Sequence, residues 1–200
     1  MKLTNREIIK HWMHKMNRKA YIEKCLADLQ TLGIDVAGKK QSIIDGIISY
    51  PADMLENMDG SRLTGLLLDW IDSDKIYSFD TEITVISTMY SDFLERIEKL
   101  AKGDIEFRNK TEIFNGEAEK EIHTIQFQCK EKEYIYRAKS DGDWFDTEIF
   151  AFLNQVIAEQ KTGKYLFICG DGYQNCIVFY ETEEWLRRFN EKMDVQLERP

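Results

Sequence analysis

Apolar residues recur at helical spacing through residues 1–103. The clearest stripe places seven apolar side chains three or four residues apart on one face of a helix, namely Ile86, Met89, Tyr90, Phe93, Leu94, Ile97 and Leu100. Further apolar stripes at helical spacing lie in residues 1–32, 42–50 and 63–71. Gly33 and Pro51 separate these segments. The pattern predicts a helical N-terminal half of about five helices.

The apolar spacing changes to two after Gly103, which is typical of strands. Three alternating segments are followed by a helical stripe over 146–161, a hairpin whose strands flank residues 170–173, and a last helix capped by Thr182. We therefore expect an α+β fold. In it the helical N-terminal half packs against a C-terminal antiparallel sheet of order βββαββα.

The same change of spacing suggests how the chain is divided. It predicts a helical region over residues 1–103 and an α+β region over residues 104–200. No flexible linker separates the two regions, because the chain has only 2 prolines and the boundary carries no glycine-rich run. We expect the two regions to pack together as one continuous unit.

Charge restricts the partners that the chain can bind. The formal net charge is −9, which disfavours a general nucleic-acid binder because such a protein must neutralise phosphates. Residues 1–19 are an exception, since Glu7 is their only acidic residue among several lysines and arginines. The remaining acidic body favours a basic partner protein.

Cysteine usage and hydropathy bear on location. Cys25, Cys129, Cys169 and Cys176 have neither the paired spacing of a redox motif nor the spacing of a zinc site. No apolar run reaches the roughly 18 residues that a membrane-spanning helix needs, and the N-terminal residues lack the apolar stretch of a signal peptide. The sequence therefore predicts buried thiols, no membrane and a cytoplasmic location.

No motif for a cofactor, a metal or catalysis is complete. The segment 33–40 matches a phosphate-binding loop only until Lys40, which replaces the hydroxyl that should hold magnesium, and a helix precedes it where a strand is needed. His11 and His14 share a helix face, but a zinc site needs three or four ligands. We predict no cofactor, no metal and no catalytic residues.

Residues 140–148 combine acidic and aromatic side chains. Asp146 caps the predicted helix, and Glu148 lies in its first turn, where the helix dipole favours a negative charge. Capping does not account for Asp141, Asp143 and Trp144. Acidic groups around an exposed tryptophan are typical of a protein-binding hot spot.

The hairpin tip supplies the second part of the predicted surface. Asp171 and Tyr173 repeat there the pairing of an acid with an aromatic ring. The predicted partner-binding residues are therefore Asp141, Asp143, Trp144, Asp171 and Tyr173.

These features favour a non-enzymatic protein-binding or inhibitory protein. In size, acidity and α+β character the chain resembles, as a class, the bacterial immunity proteins that neutralise toxins. That resemblance implies a basic partner, either a toxin domain or an enzyme, which is blocked by electrostatic complementarity.

Two other functions are open to the sequence. The chain is alternatively an enzyme, such as a hydrolase that uses His123 or the acidic loop. It is alternatively a regulatory module that contacts nucleic acid through its basic N-terminal helix.

Overall fold

The computed structural model describes residues 5–56, 58–115, 122–139, 143–170 and 174–200. Its helices are α1 (Asn5–Thr31), α2 (Lys40–Ile48), α3 (Ala52–Glu56), α4 (Gly60–Asp69), α5 (Met89–Ala101), α6 (Ile149–Gln160) and α7 (Glu183–Lys192). Its strands are β1 (Tyr77–Asp80), β2 (Phe107–Asn115), β3 (Ile122–Cys129), β4 (Lys132–Arg137), β5 (Lys164–Gly170) and β6 (Asn175–Thr182).

The strands form two separate antiparallel sheets. The central sheet has the order β1-β6-β5, and the second sheet has the order β2-β3-β4. In the central sheet Phe79 lies opposite Cys176, while Gly170 lies opposite Cys176 from the other side. The fold is therefore a mixed α+β arrangement in which helices are interspersed with strands along the chain.

The expected fold, in which a helical N-terminal half packs against one C-terminal sheet, is wrong. Strand β1 lies between α4 and α5 in the N-terminal half and pairs with β6 near the end of the chain. Strands β2, β3 and β4 pair only with one another among the described strands. The β1 segment has only four residues, too few for an alternation that stands out from the neighbouring helical stripes.

Successive side chains of β6 point to opposite faces of the central sheet, and both faces are buried. Ile177 and Phe179 join a core with α1, α2, α4 and α7. Cys176, Val178 and Tyr180 join a second core with α5, α6 and the β2-β3-β4 sheet. Strand β6 therefore connects the two cores.

One more segment borders the central sheet. The backbone N–H of Ile168 in β5 donates to the carbonyl of Glu198 at 2.9 Å, and the N–H of Glu198 donates back at 2.9 Å. Met193, Val195 and Leu197 alternate towards the first core and are almost fully buried. The segment after α7 thus lies beside β5 and forms a β-bridge with it at Ile168.

Across the described helices, none combines the length and the apolar character needed to cross a membrane.

Candidate functional site

The structure locates two of the five predicted partner-binding residues. Asp143 is half-buried, and Trp144 exposes 43% of its surface. Asp141, Asp171 and Tyr173 lie outside the described residues. Residues on the flanks of both loops belong to the described part of the chain.

Residues 81–83, which follow β1, form hydrogen bonds with the flanks of both loops, 140–142 and 171–173. Their backbone pairs with the first loop, where Ile83 N–H donates to Asp143 O and Phe145 N–H donates to Thr81 O, both at 2.8 Å. The same segment also bonds the flank of the hairpin tip, since Thr81 donates to the carbonyl of Gln174 from its N–H at 3.0 Å and from its hydroxyl at 2.7 Å. The flanks of loop 140–142 and of tip 171–173 are therefore parts of one surface.

Two carboxylates of this connecting region were not among the predicted residues. Asp80 accepts a hydrogen bond from Glu82 N–H at 2.9 Å, and Glu82 accepts one from the Gln174 side-chain amide at 2.6 Å. Glu82 also lies opposite Trp144 in an isolated antiparallel bridge. We call Asp80, Glu82, Asp143 and Trp144 the acidic platform.

A groove continues from this platform along β1. It has a volume of about 700 Å³ and lies between α5 and the segment that follows α4, with all four β1 residues in its lining. Five carboxylates line it, from Asp69, Asp72, Asp80, Glu82 and Asp92. Arg96 is the cationic side chain among its described lining residues.

Most of this negative charge is uncompensated. Asp72 pairs with Lys39 at 2.5 Å. Asp69 and Asp92 instead accept hydrogen bonds from the neutral hydroxyls of Ser78 and Thr88. Among the described residues no cation forms an ion pair with the other four carboxylates, so the groove carries a negative potential that attracts a cationic ligand.

Two other surface depressions contrast with this groove. They surround the start of β2 and have volumes of about 570 and 760 Å³. Ion pairs cancel much of their charge, since Arg108 binds Glu106 at 2.8 Å and Lys110 binds Glu98 at 2.7 Å. Of these three depressions, the groove beside β1 has the largest unpaired negative charge.

His123 belongs to a buried pair that the sequence did not indicate. Its Nδ1 lies 2.9 Å from Glu112 Oε1, and both side chains are almost completely buried. Glu112 Oε2 also accepts hydrogen bonds from the N–H of Ser91 at 2.8 Å and from its hydroxyl at 2.9 Å, in the first turn of α5. The carboxylate therefore binds the positive end of the α5 dipole and links α5 to β2 and β3.

The other ring nitrogen of His123 has no hydrogen-bond partner among the described residues. The ring packs between Tyr90 and Phe114, with centroid distances of 5.2 and 4.6 Å. A general base must come within hydrogen-bond reach of its substrate. Because the ring is fully enclosed, we assign His123 to the core.

Asp146 differs from its predicted role as a helix cap. Helix α6 begins only at Ile149, and Glu148 occupies the N-cap position without a side-chain cap bond. The Asp146 carboxylate accepts hydrogen bonds from Glu148 N–H at 3.0 Å and from Lys139 N–H and the Tyr136 hydroxyl at 2.7 Å each. It therefore joins β4 to the turn before α6, next to the acidic platform.

The cysteines do not form a reactive centre. All four are buried. Burial raises the pKa of Cys176 to about 12, and it also raises the pKa of Cys25 and Cys129. A raised pKa keeps a thiol protonated and weakens it as a nucleophile or metal ligand.

Metal binding has no centre in the described part of the chain. No group of three or more histidine, cysteine, aspartate or glutamate side chains is arranged there to hold an ion.

Comparisons with protein-family models, with curated proteins and with solved structures found no match for this chain. The function must therefore be argued from the site itself.

Proposed function

We propose that this protein is a non-enzymatic binding protein that holds a basic partner protein through its acidic platform. The kind of function is that of a bacterial immunity protein, which blocks a toxin domain or an enzyme. The observation that supports it is the position of Trp144, which is exposed, lies opposite Glu82 in a backbone bridge and follows Asp143 in the chain. Neither carboxylate forms an ion pair in the described structure.

The attachment of Trp144 favours a binding role. The backbone groups on both sides of Trp144 are hydrogen-bonded to the segment after β1, so the ring is presented from a fixed backbone. A rigid aromatic anchor loses little conformational entropy when it binds, and tryptophan is enriched among residues that dominate interface energies. Surrounding carboxylates steer a basic partner and increase its association rate.

A cytoplasmic location accompanies this proposal. Its support is that all four cysteines are buried and that none has paired or zinc-like spacing, as expected in a reducing compartment. The basic N-terminal helix stays a separate prediction, because the side chains of residues 5–17 lie outside the description.

The test is coexpression and pull-down with the protein encoded by the adjacent gene, followed by affinity measurement. Trp144→Ala should weaken the complex about thirtyfold, since truncation of a hot-spot residue costs at least about 2 kcal/mol. Glu82→Gln should weaken it by less and should reduce its dependence on salt.

Ile135→Ala is the matched control. Ile135 exposes 55% of its surface on the other sheet and should leave the affinity unchanged within about twofold. The proposal is wrong if the neighbouring protein does not bind and coexpression does not protect cells from it. It is also wrong if Trp144→Ala binds as tightly as the control.

A further inference from the structure

We infer that the open edge of β1 binds an extended basic segment of the partner protein, which joins the central sheet as a fourth strand. This inference rests on the proposed function and specifies how the partner is recognised. It is carried by the directions of the backbone groups in β1, by the contrast with the opposite sheet edge, and by the charge of the groove.

The hydrogen-bond pattern shows which groups of β1 are open. Thr81 N–H donates to Gln174 O, one register step beyond the pair of Asp80 with Asn175. Because antiparallel strands alternate, Tyr77 and Phe79 direct their backbone groups towards β6. The N–H and C=O groups of Ser78 and Asp80 therefore point to the groove, and no described residue forms a hydrogen bond with them.

The opposite edge of the sheet is closed at three alternate positions of β5, Lys164, Leu166 and Ile168. Asn154 on α6 bonds both backbone groups of Leu166, at 2.8 Å and 3.0 Å. Glu198 bonds both backbone groups of Ile168 at 2.9 Å. Thr162 accepts a hydrogen bond from Lys164 N–H at 3.2 Å. Proteins commonly cover their sheet edges, so an uncovered edge inside a groove indicates a site for strand addition.

The charge of the groove selects the occupant. Four of its carboxylates have no ion-pair partner in the described structure, and the whole chain carries a net charge of −9. A second copy of this acidic chain would be repelled at the same edge. A segment rich in lysine and arginine would be attracted.

The two faces of β1 indicate which side chains the added strand should carry. Tyr77 and Phe79 stack with a centroid distance of 5.0 Å on the side of the second core. Ser78 lies on the other side, where its hydroxyl bonds Asp69. An added strand projects alternate side chains to the same two sides. Its residues should therefore alternate between apolar and basic.

The test uses a synthetic peptide of about seven residues that alternates lysine and valine. Binding is measured by calorimetry, and amide exchange is followed by NMR spectroscopy. We expect slower exchange of the Ser78 and Asp80 amides in the complex. A peptide that is N-methylated on the edge facing β1 should bind about tenfold more weakly, which is the loss expected for one backbone hydrogen bond. Methylation on its other edge should have no effect.

Variants of Ser78 provide the matched comparison. Ser78→Pro removes the outward N–H and should weaken binding about tenfold, whereas Ser78→Ala removes only the hydroxyl and should keep binding within about twofold. The inference is overturned if the alternating peptide does not bind. Equal binding of both variants, or equal binding of both methylated peptides, overturns it as well.

The two proposals fail in different ways. If the neighbouring protein binds in a manner that depends on Trp144 but not on Ser78→Pro, strand addition is wrong and the binding function stands. If the neighbouring protein does not bind while the alternating peptide protects the Ser78 and Asp80 amides, the immunity function is wrong and the strand-accepting edge stands.

Discussion

The two edge strands of the central sheet present the same backbone groups to different surroundings. The outward groups of Lys164, Leu166 and Ile168 in β5 are bonded by Thr162, Asn154 and Glu198. The outward groups of Ser78 and Asp80 in β1 face an acidic groove without a bond to any described residue. The contrast indicates that the closed edge stabilises the fold and the open edge is available to a partner.

The largest effect is expected at the closed edge, from Asn154→Ala. Asn154 exposes only 3% of its surface, and its removal leaves the N–H and C=O of Leu166 without their partner. Each unsatisfied buried group costs about 1–3 kcal/mol, so we expect a loss of about 2–6 kcal/mol of unfolding free energy. Denaturant titration measures it. Gln155, the exposed neighbour of Asn154, serves as the control. Gln155→Ala should change the unfolding free energy by less than about 0.5 kcal/mol.

The next effect concerns the chain segment that covers β5. Leu197 exposes 3% of its surface, and Leu197→Ala should cost about 2–5 kcal/mol by leaving a cavity in the first core. Glu198→Ala keeps the backbone bridge to Ile168 and should be nearly neutral, because its side chain is exposed. Equal unfolding midpoints for the two variants would show that this segment does not stabilise the edge.

A smaller effect on stability is expected from the titration of Cys176 in β6, the strand that pairs with both β1 and β5. Burial raises the pKa of Cys176 from 9.0 to about 12. The unfolded chain therefore loses this proton at lower pH than the native protein, so the contribution is complete below pH 9 and is lost as pH rises towards 12. We expect Cys176→Ala to reduce the loss of stability between pH 8 and pH 11 by about 2–3 kcal/mol. Thermal unfolding across this range measures it, and an unchanged slope would contradict a raised pKa of Cys176 in the folded protein.

The smallest expected effect compares proline at equivalent outward positions. Ile168→Pro removes an N–H that donates to Glu198, so it should be about 1–3 kcal/mol less stable than Ile168→Ala. Ser78→Pro removes an N–H without a described partner, so its stability should equal that of Ser78→Ala within about 0.5 kcal/mol. Chemical denaturation of the four variants gives both differences. A large cost at Ser78 would show that the β1 edge is closed.

Some local features were predictable from neighbouring residues alone. Thr182 caps α7 by accepting a hydrogen bond from Trp185 N–H, as the sequence predicted. The apolar stripe of α5 was equally readable, and its described side chains are buried. A cap and a stripe involve residues within a few positions of one another, so a short window contains the information.

The candidate site was predictable only in part. Asp143 and Trp144 were identified because their acidic and aromatic character exceeds what a helix cap requires. Asp80 was not among the predicted residues, and the structure shows its carboxylate accepting a hydrogen bond from Glu82 N–H at the end of β1. The place of Glu82 opposite Trp144 depends on backbone bonds between segments far apart in the chain, and no local pattern records such bonds.

The amino-acid sequence by itself determined the acidic charge, the apolar stripes and the β5-β6 hairpin, because charge and periodicity are properties of the residues and their neighbours. Only the tertiary structure decided that β1 pairs with β6, that Glu112 and His123 share a buried site, and that one sheet edge is covered while the other is open. The physical reason is that backbone groups are alike in every strand. Which of them are bonded depends on the segments that the fold places beside them.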